Sequence, residues 1–193
     1  MSVRGAASPT AWGFLTVVEH PQHGLFGGYL LLNAAARPLE FHCTTPLKPN
    51  RAQEILYGPT LRPFLYGEQI GQALLAKGTI QPQVVCVDQP DALAARAFTA
   101  VPLALLLPDD GEEVNGEQAQ SGGGPMLRVD TPHSGVSLVT FQGGRRRLAV
   151  SREHRADEAL VRERLSELAE HFDLREPFDR IREAIEEAQR CGR

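Results

Sequence analysis

The chain has 193 residues, 42% of them apolar and 23% charged, so it can bury a core without disulfides or metal. Its formal net charge of −4 is unevenly spread: residues 109–125 hold five acids and no base, whereas 126–193 hold thirteen of each. There is no broad cationic footprint, and no segment approaches the roughly 20 apolar residues that span a bilayer.

The first expected elements form an antiparallel meander. Gly13–Glu19 (GFLTVVE) is rich in β-branched and aromatic residues, and the turn cluster His20-Pro21-Gln22-His23-Gly24 follows it. Gly27–Asn33 (GGYLLLN) is nearly continuously apolar, which suggests a strand buried on both faces. Pro38–Thr44 (PLEFHCT) is the third strand.

Helical signals come next. Asn50-x-x-Gln53 reads as a capping box opening RAQEILY, and Gly58-Pro59 ends those turns. Thr60 caps a second helix, with Pro63 in its first turn and Gly78 after its end. Gln83–Asp88 and Val101–Leu107 are short apolar strands flanking a helical Pro90–Phe98. Strand, helix, strand with both strands fully apolar argues for parallel pairing and a right-handed crossover.

Residues 109–125 (DDGEEVNGEQAQSGGGP) cannot bury enough apolar surface to offset their ordering entropy, so a disordered acidic loop is expected there. Beyond it, Met126–Thr131 is a candidate strand. Val136–Phe141 and Arg146–Ser151 form a hairpin around Gly143-Gly144. Two helices close the chain, from about Arg155 to Phe172 and from about Pro177 to Cys191-Gly192. Val161, Leu165, Leu168 and Phe172 form one narrow apolar stripe; Phe178, Ile181, Ile185 and Ala188 form the other. Two turns do not make a free-standing coiled coil, so the stripes must bury against the sheet or another chain.

The expected fold class is therefore α/β (α+β), with one mixed sheet. It comprises an N-terminal antiparallel β-meander, a strand-helix-strand unit, and a C-terminal β-hairpin plus two amphipathic helices. Residues 1–108 form the core, 109–125 the loop, and 126–193 a part packed on that core. The order β-β-β-α-β-α-β over the first half resembles the ribonuclease-H-like superfamily. The resemblance implies a carboxylate on the first strand and another at the end of the fourth. Here Glu19 and Asp88 take those places, where two magnesium ions could align water and leaving group. Strand one has no Asp in its body, which reads Leu15-Thr16-Val17-Val18, and the likeness carries no motif.

Two further constellations stand out. His20 and His23 in the first turn, with His42 near the end of strand three, could offer imidazoles to a transition metal, with Glu19 adding a carboxylate. Only one of His42 and Cys43 can face the loop histidines, because strand side chains alternate. Arg145, Arg146 and Arg147 at the hairpin tip could touch phosphates, although alternation splits them between two faces. There is no G-x-S-x-G, Walker loop or G-x-G-x-x-G, so no cofactor is expected.

With no convergent catalytic set, the expected function is a non-enzymatic interaction or assembly module. It would pair with a protein partner or a second copy through Val161, Leu165, Leu168, Phe178, Ile181 and Ile185. The alternatives are a divergent metal-dependent nuclease or phosphoesterase, and nucleic-acid binding through the arginine hairpin. Neither a membrane nor a nucleic-acid partner is expected. Three scattered cysteines without a C-x-x-C pair, and no recognisable signal peptide, fit a reducing cytoplasmic location.

Overall fold

The computed structural model of the protein describes residues 10–108 and 136–191. The expected acidic loop at 109–125 and the expected strand Met126–Thr131 lie outside the described residues.

Alternating and continuous apolar runs give seven strands in one mixed sheet. They are β1 (Ala11–His20), β2 (Gly24–Asn33), β3 (Pro38–Cys43), β4 (Val85–Val87), β5 (Leu103–Leu106), β6 (Leu138–Gly143) and β7 (Arg146–Ser151). Their spatial order is β3-β2-β1-β4-β5-β7-β6. The meander β1-β2-β3 is antiparallel, β1, β4 and β5 run parallel, and the β6-β7 hairpin joins β5 antiparallel. This is a mixed α/β architecture compatible with a ribonuclease-H-like topology.

Each face of the sheet carries its own core. Leu15 and Val17 of β1 pack beneath the helical segments between β3 and β5, together with Leu65, Tyr66, Ile70 and Leu93. These segments are α1 (Arg51–Tyr57), α2 (Leu61–Pro63), a π-helical stretch Phe64–Gly71, α3 (Gln72–Lys77) and a 3-10 helix Pro90–Phe98. Trp12 and Phe14 of β1 point the other way, into a core closed by α4 (Asp157–His171) and α5 (Glu176–Cys191). No described helix is long and apolar enough to cross a membrane.

Two local details differ from expectation. The single helix expected from Thr60 to Lys77 widens into π turns at Phe64–Gly71, and Pro90–Phe98 winds as 3-10 rather than α. These two segments press together: a Cβ on Gly67 would lie 2.5 Å from Ala94 Cβ and 2.8 Å from Ala94 and Ala95 backbone atoms. Only glycine, and a slim 3-10 coil opposite it, permit that approach.

The apolar stripes of α4 and α5 are not free. Val161, Leu165, Leu168, Phe178, Ile181 and Ile185 are each at most 4% exposed. They pack on Phe14, Leu30, Leu32 and Leu106 of the sheet. The expected partner interface is therefore the chain's own second core. The reason is geometric: β2 carries Gly28 where α5 crosses it, and a Cβ there would lie 2.2 Å from Ile181 Cγ2. The bare backbone lets the helix sit down on the sheet and bury its stripe.

Candidate functional site

The register of β1 against β4 pairs Leu15 with Val87, so Thr16 comes level with Asp88 where β4 ends. The ladder does not stop there. The Gln89 side chain accepts from Val17 N–H (2.9 Å) and donates to Val17 C=O (2.8 Å), standing in for one more residue of backbone. Thr16, fully buried, donates its hydroxyl to Asp88 Oδ2 at 3.1 Å.

Even-numbered β1 residues face α5, so this pair does too. Arg182 of α5 donates from Nη2 to Asp88 Oδ2 and from Nη1 to Asp179 Oδ1 (2.9 Å). Asp88 Oδ1 is buried without a hydrogen-bond partner among the described residues. Burial raises the Asp88 carboxyl above the usual carboxylate range, against the lowering pull of the Arg182 charge. A cavity of about 270 Å³ opens over these groups, lined also by Leu106, Arg175 and Phe178. It lies at the carboxyl ends of the parallel strands, where open α/β sheets bind their ligands.

Glu19 lies three residues further along β1 and on the opposite face. Tyr66 Oη donates to Glu19 Oε1 (2.5 Å), and Arg62 Nη1 lies 2.9 Å from the same oxygen. Arg62 also donates to buried Asp91 through Nε (3.0 Å) and to Tyr66 Oη through Nη2 (2.9 Å). The Tyr66 hydrogen bond, with help from Arg62, holds the Glu19 carboxyl below its ordinary range despite the opposing effect of burial. A second recess of about 440 Å³ opens here, walled by Pro49, Leu25 and Leu65.

The expected carboxylate pair is thus separated. Glu19 and Asp88 face opposite sides of the sheet and pair with different arginines, Arg62 and Arg182, so they do not flank one ion. Strand register decides this, and the spacing in sequence does not reveal it.

Of the three histidines, His20 and His23 come together, with ring centroids 4.5 Å apart, but His42 does not join them. His20 Nδ1 accepts the N–H groups of Gln22 and His23 inside the turn, both at 3.2 Å. His42 lies 2.8 Å from Glu40 Oε2 and stacks on Tyr29, on the α2–α3 face. Alternation turns Cys43, not His42, toward His23, and these two border an apolar cavity of about 310 Å³ with Phe26 and Ile185. Among the described residues no three metal-ligating side chains cluster.

The arginine tip is split as alternation requires. Arg146 pairs with Asp173 at the α4–α5 junction (2.9 Å), on the face opposite Arg147.

Sequence reasoning missed Thr16, Arg175, Asp179 and Arg182 on one face, and Arg62 and Tyr66 on the other. Arg182 gave a misleading signal: its i,i+4 spacing to Glu186 reads as a solvated surface pair, but its guanidinium turns to Asp179 and Asp88.

Neither a protein-family model nor a curated protein sequence matches the chain. A solved structure similar to it is that of Endonuclease V from Ciona intestinalis in complex with a 23mer DNA containing an inosine followed by a ribo-adenosine. The identity is 13%, the TM-score 0.36, and the match covers 74% of this chain and 70% of the other. At these values the likeness transfers neither activity nor residues. The expectation of a non-enzymatic assembly module is nevertheless withdrawn. Part of its basis, the two helical stripes taken as unpartnered, is buried in the chain. The expectation that nucleic acid is not a partner stands against this DNA-bound neighbour and is withdrawn with it.

Proposed function

We propose that this chain engages the phosphodiester backbone of a nucleic acid along the carboxyl edge of its sheet. The observation that carries the proposal is the Arg175 and Arg182 pair lining the cavity over Asp88. A guanidinium presents five donors in a planar fork suited to phosphate oxygens. Arg182 directs two of its donor nitrogens to carboxylates, and its side chain is 40% exposed to the cavity and solvent.

A chain-like ligand fits this edge better than a small phosphate ester. The Glu19–Tyr66 recess lies about 10 Å further along β1 and on the other face, so a strand crossing the edge meets both. Its apolar walls suit a flat ring, and the arginine cleft suits the backbone. A cytoplasmic, reducing location belongs to the same proposal. Burial pushes the Cys86 thiol up to about 12, so it acts as a core hydrophobe rather than a reactive group.

Fluorescence anisotropy with a labelled single-stranded oligonucleotide at about 50 mM salt tests the reading. Wild type is expected to bind, and the Arg175→Ala/Arg182→Gln double variant to bind at least tenfold more weakly. No binding at low salt, or equal affinity of the variant, would overturn it.

A further inference from the structure

The magnesium chemistry that a ribonuclease-H-like topology implies needs several acids around the ions, and the residues present do not fit it. β1 offers the Thr16 hydroxyl, not a carboxylate, beside Asp88, and Glu19 is on the other face. What the structure does place between two acids is a guanidinium, with Arg182 donating to Asp88 and to Asp179 at once.

We infer that Arg182 is the cleft's built-in cation, holding the position that a divalent ion would otherwise take between Asp88 and Asp179. The Asp88 side chain is only 14% exposed, and an uncompensated buried carboxylate is costly, so some cation must stand beside it. Arg182 meets that need and cannot be lost by dilution or chelation. The cleft is therefore organised without metal. Counting Arg175, which lines the same cavity, two acids face two guanidinium groups, and Asp88 Oδ1 is buried without a hydrogen-bond partner among the described residues. Removing the Arg182 guanidinium leaves two carboxylates and a hydroxyl, a hard oxygen set of the kind that takes magnesium or manganese. This deepens the phosphodiester reading by assigning the cation at the same cleft, but it is measured without nucleic acid, so the two can fail separately.

The test is thermal unfolding of the chelator-dialysed full chain with and without manganese or magnesium chloride. Wild type, Asp88→Asn, Arg182→Ala, Arg182→Gln and Asp88→Asn/Arg182→Ala are compared. The wild-type midpoint is expected not to move. Arg182→Ala and Arg182→Gln melt lower without ions and gain roughly 2–4 °C or more with manganese. The Asp88→Asn/Arg182→Ala variant loses that gain. A variant that is unfolded without ions is expected to recover its far-UV signal when manganese is added. The inference is overturned if ions neither raise the midpoint nor restore the folded signal of the Arg182 variants. It is equally overturned if manganese stabilises wild type and Asp88→Asn abolishes that effect.

Discussion

Seating of α5 on the sheet can be tested by exchanging volume between Gly28 and Ile181. Ile181 is fully buried, and its Cγ2 occupies the space a Gly28 Cβ would need, at 2.2 Å. Ile181→Ala removes three carbons. At about 0.8 kcal/mol each the transfer loss is about 2.4 kcal/mol, and the cavity raises the total toward the upper part of the 2–5 kcal/mol range. Gly28→Ala alone drives a methyl into Ile181 and costs about 1–3 kcal/mol. Combined, the new methyl enters the vacated space, so the double variant should be more stable than the sum predicts by about 1 kcal/mol or more. Urea unfolding with linear extrapolation on all four proteins gives the coupling. Additivity within about 0.5 kcal/mol would show that α5 does not rest on β2 at Gly28. The burial of the α5 stripe would then need another explanation.

Two further predictions concern carboxylates held by specific partners. Asp157 at the start of α4, 3% exposed, accepts Arg96 Nε (2.6 Å) and Nη2 (3.1 Å), joining the 3-10 segment at one face to the helix at the other. Asp157→Ala should cost about 3–5 kcal/mol in urea unfolding, with Arg96→Met/Asp157→Leu much closer to wild type; a loss below about 1 kcal/mol would refute the buried-pair account. Glu40 accepts from Thr79 Oγ1, from Thr79 N–H and Ile80 N–H (each 3.0 Å), and lies 2.8 Å from His42 Nε2. These bonds, led by the Thr79 hydroxyl, hold its carboxyl down to about 2 from an ordinary 4.5. The folded state therefore favours the ionised form. The stabilisation is complete above the unfolded pKa and fades as pH falls from about 4.5 to about 2. Glu40→Gln should flatten the melting-temperature profile in that window; an unchanged profile would refute the assignment.

The features legible in sequence are those set by local periodicity. The single strands of the β1-β2-β3 meander, the turn of the Gly143-Gly144 hairpin and the α4 and α5 stripes each announce themselves within about a dozen residues. Gly28, in a strand otherwise made of large apolar residues, hints at a close approach, but only the structure shows that Ile181 is what approaches. The site was mostly illegible because its parts are distant. Asp88 and Arg182 are 94 positions apart. The separation of Glu19 from Asp88 follows from one register, Leu15 against Val87, which no residue pattern specifies. A slip of one residue would exchange the faces, so a carboxylate pair proposed from strand ends alone stands or falls on that pairing.

The most direct test of phosphodiester engagement at the carboxyl edge is the salt dependence of oligonucleotide binding. Titrating sodium chloride from about 50 to 200 mM gives the slope of log affinity against log salt. The account predicts a clearly negative slope for wild type that becomes shallower by about 0.7 for each arginine removed at Arg175 and Arg182. A wild-type slope near zero, or one that the two substitutions leave unchanged, would contradict it.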